Sequence, residues 1–255
     1  MRTRYVDIDD RTQDLRERMR GDTEIADDFL KKYELSWLYH ENALEGVVYS
    51  SQELEVALSS AQPLAEASYL AALREIRNHR TAMDVVREEA GSKKPRINMS
   101  LVKRLYETLG AGVEGRSEAE FRKDMPLHRA YFHEIAQPPK IPALLQKLLE
   151  STESADFRAA HPIQRASKLQ HGFMQVYPFT ENSGRVARLL ANLVLLQSGY
   201  LPCIIHATDR QRYYESFRHP ESALRDLMLD GMENALAQAE KYFGEAIASR
   251  RKAAR

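Results

Sequence analysis

Tyr177-Pro178-Phe179-Thr180-Glu181-Asn182-Ser183-Gly184-Arg185-Val186-Ala187-Arg188 is the stretch on which the fold turns. An amphipathic pattern over about 155–176 runs into it, and an apolar one over about 184–198 leaves it. Pro178 disfavours helical angles at the residue before it, so the first helix should stop near Val176 or Tyr177. Asn182 tolerates left-handed backbone angles and Gly184 adopts them freely, so the segment can turn and restart as a helix. A helix N-terminus presents unpaired backbone N–H groups at the positive end of its dipole, which favours an anion. Arg185 and Arg188, three apart, share one face of the first turn and suit phosphate oxygens. Glu181 offers an oxygen ligand for a divalent metal bridging such oxygens. The stretch is expected to cradle phosphate.

Composition sets the frame for this reading. The chain has 255 residues, 43% of them hydrophobic and 29% charged, as expected of a soluble protein with a substantial core. Lys+Arg and Asp+Glu number 37 each, so no bulk field draws nucleic acid or an anionic membrane. The single cysteine, Cys203, rules out an intrachain disulfide and lies in an apolar run as a small core residue. The first residues lack the apolar run of a signal peptide, and no run approaches a membrane span, so a cytoplasmic location is expected.

Helical periodicity dominates, and an all-α fold is expected. Ile25, Phe29, Tyr33 and Trp37 recur every four residues, predicting a helix over about 25–46 that Gly46 closes. Val47-Val48-Tyr49 reads as an extended connection, and Ser50 to Glu53 as a capping box. Further helices are expected over about 63–90 and over 99–109, the latter stopped by Gly110. Residues 116–139 are the least helical part, with short strands at 121–126 and 129–133. Pro138-Pro139 leads into a helix near Ile141. Thr208 to Gln211 reads as a second capping box, opening a helix with Tyr213, Tyr214 and Phe217; a final helix is expected over about 222–248, with a frayed basic tail.

Glu41-Asn42-Ala43-Leu44-Glu45-Gly46 places Glu41 and Glu45 one helical turn apart on one face. Two carboxylates meeting Arg185 and Arg188 would compete with a phosphate for the same guanidinium groups. The alternative is an ordinary solvated helix end. His171 lies six helical residues before Tyr177 and points elsewhere, and His161-Pro162 marks a helix start.

The 177–188 stretch resembles the Fic (Fido) motif, His-Pro-Phe-x-Asp/Glu-Gly-Asn-Gly-Arg-x-x-Arg. Pro178, Phe179, Glu181, Gly184, Arg185 and Arg188 match, whereas Tyr177 stands at the catalytic His, Asn182 at the first Gly and Ser183 at the motif Asn. The segment ending in Glu45-Gly46 is similar to the family's inhibitory motif, with Glu41 at its Ser/Thr position and Arg188 as the partner of Glu45. The resemblance implies a Fic helical fold with a small β-hairpin flap, made of an N-terminal helical region over 1–95 and a core domain over 96–248. It implies ATP and Mg2+ as ligands and AMP transfer to a protein hydroxyl (AMPylation). Asn182, Ser183, Gly184, Arg185 and Arg188 would hold phosphate, Glu181 the metal, and Tyr213 and Tyr214 would flank the base. A target protein would dock on the flap, about 121–135, and a homodimer is compatible with the family.

Tyr177 sets the expected activity. A phenol titrates near 10, far from the pKa that suits a general base at neutral pH, and loss of such a base typically costs about 10²–10⁴ in rate. Three readings follow: a nucleotide-binding pseudoenzyme, a transferase or de-AMPylase that uses Tyr177, and a helical interaction protein that binds no nucleotide.

Overall fold

In the computed structural model, residues 2–59, 67–93, 96–113, 118–126 and 133–253 are described. Among them are eleven α-helices: α1 (Arg2–Gly21), α2 (Thr23–Leu44), α3 (Ser51–Leu58), α4 (Ala67–Ala90), α5 (Met99–Leu109), α6 (Ile141–Ser151), α7 (Ala155–Ala159), α8 (Pro162–Val176), α9 (Ser183–Gln197), α10 (Arg210–Ser216) and α11 (Ser222–Ala253). Short 3-10 turns at Pro138–Lys140 and Ala207–Asp209 precede α6 and α10. The described residues contain no strand, so the fold is all-α as expected. No helix among them is long and apolar enough to cross a membrane.

The core is organised around α9. Ser183 through Leu195 are all buried, which the apolar composition of this helix permits on every side. α8 packs along it on one side and α4 and α5 on another, while α1 lies against α11 and α2. One continuous apolar cluster runs from Ile8 on α1 to Phe243 on α11. Local chemistry explains several boundaries. Ser50 accepts from the Glu53 N–H while the Glu53 carboxylate accepts from the Ser50 N–H, the reciprocal cap expected for α3. Gly46 takes φ 89° after α2, the left-handed closure that glycine makes at little cost.

Several expectations need correction. The helix expected over 155–176 is two helices, because Ala160 is extended and Pro162 must begin a new one. Residues 121–126 form no strand among the described residues, and Arg122 within them bonds to the Tyr177 and Pro178 carbonyls. Most of the second expected strand, 129–132, lies outside the described residues. The Thr208–Gln211 capping box does not form: a 3-10 turn carries the chain to Asp209, which caps α10 with its backbone only. The basic tail is helical through Ala253. The sequence pattern does not announce α1; its buried residues are Ile8, Thr12 and Leu15, with Tyr5 and Met19 packed partly buried beside them.

Candidate functional site: the loop between α8 and α9

The loop is held by two non-glycine residues in the left-handed region. Tyr177, at φ 46° and ψ 65°, ends α8, and Asn182, at φ 58° and ψ 1°, begins α9. Left-handed angles cost a non-glycine residue about 1–2 kcal/mol, so the surroundings must hold them. At Tyr177 that restraint is Arg122, buried to 5% exposure. Its Nε donates to the Tyr177 carbonyl (2.7 Å) and its backbone N–H to the Pro178 carbonyl (2.9 Å). The same guanidinium donates to the carbonyls of Ala136 and Asp124, fastening residues 118–126 and 133–137 to the loop. Phe179 anchors the middle of the loop, fully buried and stacked on Tyr106 with ring centroids 4.1 Å apart.

Ser183 closes the loop on itself. Its hydroxyl donates to the Phe179 carbonyl (2.8 Å) and accepts from the Phe179 N–H (2.9 Å), so the side chain shapes the backbone. Hydrogen bonding within α9 starts with the Val186 N–H and the Asn182 carbonyl (2.9 Å), and no side chain caps the helix. The N–H groups of the first turn thus lie ahead of any helical acceptor, at the positive end of the dipole.

The C-terminal turn of α2 fills the space beside them. Arg188 Nε donates to Glu41 Oε2 (2.5 Å) and Arg188 Nη2 to Glu45 Oε1 (2.7 Å). A methyl group built on Gly184 would stand 2.6 Å from Glu45 Oε1 and 3.1 Å from Arg188 Nη1. The Glu45 carboxylate therefore occupies the bare Cα face of the first turn, where an anion is expected. Burial alone would weaken the Arg188 cation, but Glu41, Tyr213 and Glu45 more than offset it and hold it protonated. Burial pushes the Glu45 carboxyl up, yet Arg188 and Arg185 outweigh it and hold it below the usual carboxylate range. For the fully enclosed Glu41 burial wins, and its carboxyl is raised despite Arg188.

Arg185 has different partners from those expected. Its Nη1 donates to Asn182 Oδ1 (2.8 Å) and its Nη2 to Asn42 Oδ1 (3.0 Å), so two neutral amides orient it. Asn42 in turn is fixed through its Nδ2, which donates to the Leu38 carbonyl (2.7 Å). Asn42 was not singled out in the sequence; its only signal was its place between the two glutamates. Arg122 carried none, since a long-range clamp leaves no local pattern.

Tyr213 and Tyr214, expected beside a base, are 0% and 5% exposed. The Tyr213 hydroxyl accepts from Gln170 Nε2 (2.9 Å) and Arg188 Nη1 (3.3 Å), and burial pushes its pKa up to about 12. The Tyr214 hydroxyl donates to the Leu44 carbonyl (3.0 Å), which Arg210 Nε also reaches (2.8 Å). These side chains secure the end of α2. His79 on α4 is 1% exposed, and neither ring nitrogen has a hydrogen-bond partner. Burial, reinforced by Arg185 and Arg188, holds it neutral. His171 points away, its Nε2 lying 3.1 Å from the His219 carbonyl. His161 caps α8. Glu181 is exposed at the loop, and no three His, Cys, Asp or Glu among the described residues converge as a metal site.

Solved structures share this helical bundle. A Fic-domain signaling protein from Bacteroides thetaiotaomicron superposes with a TM-score of 0.75 at 20% identity, over 91% of this chain and 97% of that one. Fic-1 (residues 134–508) from Caenorhabditis elegans gives 0.74 at 20% identity, over 97% and 73%. Residues 96–195 match the model of the Fic/DOC family, and the chain carries a Fic/DOC domain. Among curated proteins it is similar to protein adenylyltransferase Fic of Drosophila mojavensis, 30% identical over 128 residues (46% of this chain, 25% of that protein). It is likewise similar to the Nematostella vectensis protein of that name, 37% over 81 residues (30% and 19%). The chain thus matches a quarter or less of the length of these relatives.

Proposed function

We propose that this protein is a nucleotide-binding Fic protein on an AMPylation scaffold, shut by its own α2 and weak or inactive in AMP transfer. One observation carries the reading: the Glu45 carboxylate lies over Gly184 and on Arg188, an anion already seated at the N-terminus of α9. A nucleotide phosphate suits the same donors, so the two are competitors. The name protein adenylyltransferase borne by the relatives supports ATP as the nucleotide and a protein as the acceptor.

The chain's own residues divide the task. Asn42 and Asn182 aim Arg185, while Glu41 and Glu45 hold Arg188 until α2 moves. Asn182, Ser183 and Gly184 supply the turn and its N–H groups. Glu181 offers the hard oxygen ligand that Mg2+ takes, and would hold the ion together with phosphate oxygens, whose charge the ion would neutralise. Tyr177 stands where the family has its proton acceptor, and an ordinary phenol is a poor one at neutral pH. Residues 1–95 act as the regulatory region and 96–248 as the core. The target protein docks near 121–135, a segment that Arg122 ties to the reacting loop.

Labelled ATP with Mg2+ tests the proposal in the wild type, Glu45→Gly, Tyr177→His and the double variant. Nucleotide binding that tightens about tenfold in Glu45→Gly, with label transfer only where His replaces Tyr177, is the expected result. Transfer by the wild type that vanishes in Tyr177→Phe would make the tyrosine a working group. Absence of binding in every variant would leave the pocket without a nucleotide role.

A further inference from the structure

A second pocket, of about 630 Å³, opens between α1, α2, α4 and the turn after α9. It borders the C-terminal end of α9, away from the loop described above. Its volume falls within the ~300–1,000 Å³ of small-molecule sites. Leu15, Met19, Leu30 and Trp37 give it an apolar lining, and Tyr33 is tied back by a hydrogen bond to the Pro202 carbonyl (2.6 Å).

The charges around this lining do not cancel. Arg87 pairs with Glu34 (2.5 Å) and Asp84 (3.0 Å), and Arg80 contacts the same two carboxylates, so these four are balanced. What remains is Arg16 and Lys31 against Asp27, an excess of one positive charge. Neither Arg16 nor Lys31 forms an ion pair among the described residues. The Arg16 guanidinium lies against Gly199, where an added Cβ would meet its Nη1 at 3.0 Å and Cζ at 3.1 Å.

We infer that this pocket binds a small amphipathic carboxylate. Its apolar body lies against Leu15, Met19, Leu30 and Trp37, and its head group meets Arg16 and Lys31. A single negative charge matches the local excess, and the apolar lining selects against a free inorganic anion.

Trp37 is the sole tryptophan of the chain, so its emission reports on the pocket directly. Octanoate, octylamine and octanol are titrated in turn into nucleotide-free protein. A saturable change in emission with octanoate, at least tenfold tighter than with octylamine, is expected. Arg16→Met should weaken octanoate binding tenfold or more and bring it level with octanol. Lys31→Met, at an exposed position, should weaken it several-fold without affecting folding, so the test survives if Arg16→Met misfolds. No saturable response to octanoate, equal responses to octanoate and octylamine, or unchanged binding in Lys31→Met would each overturn the assignment.

Discussion

Glu41 and Glu45 share Arg188 unequally. The Glu41 side chain is 3% exposed and Glu45 24%, so the first contact is sealed and the second borders solvent. Removing one partner of a buried ion pair costs about 3–5 kcal/mol, whereas an exposed pair contributes about 0–1 kcal/mol. Trp37 Nε1 also donates to Glu41 (3.3 Å), adding a buried bond that would be lost. Glu41→Ala is therefore expected to lower unfolding free energy by about 3 kcal/mol and Glu45→Ala by about 1 kcal/mol, measured by urea denaturation. Equal losses would mean that the two carboxylates are interchangeable. The face shared by the two residues was legible from their spacing of four. The division of labour was not, because burial depends on how α2 meets α4 and α9.

At the scale of elements, what could be read were helices whose ends carry their own chemistry. α5 runs from Met99 to Leu109 as expected, because Asn98 caps it by accepting from the Leu101 N–H (2.9 Å) and Gly110 ends it. α3 was legible for the same reason. The 177–182 loop was legible in its turn chemistry alone. Its restraint comes from Arg122, 55 positions away from Tyr177, and sequence spacing carries no trace of it. The Thr208–Gln211 pattern misled because the right residue types occur where the backbone is still 3-10. Arg122→Met would strip the end of α8 and the Ala136 carbonyl of a charged donor. Hydrogen bonds to a charged group contribute about 1.5–3 kcal/mol, so a loss of at least that size is expected in urea denaturation. Hydrogen exchange should quicken at Ala136 and Tyr177, and unchanged protection there would show that the clamp is not needed.

The whole molecule should lose stability in mild acid. His79 and His40 both have folded pKa values below the usual 6.5; burial, the larger influence on each, lowers His40 to about 4. Between about pH 6.5 and 4 the unfolded chain takes up protons that the folded chain refuses. Their contribution is thus complete above pH 6.5 and is lost as pH falls toward 4. Glu45, lowered, adds a loss of the same sign below the normal carboxylate range, and Glu41, raised, opposes it. His79→Met should flatten the pH dependence of stability between pH 6 and 5 by one proton, about 1.4 kcal/mol per pH unit. An unaltered slope would show that His79 is protonated inside the fold.

Gly184 is bordered by the protein's own carboxylate on its open side. Any β-carbon at this position would displace that carboxylate and, under the proposed function, crowd an incoming phosphate as well. Under the proposed self-restraint, escape is therefore closed to substitution at 184. Mutants selected for an unlocked pocket will instead accumulate along α2, where a change can vacate the seat without narrowing it.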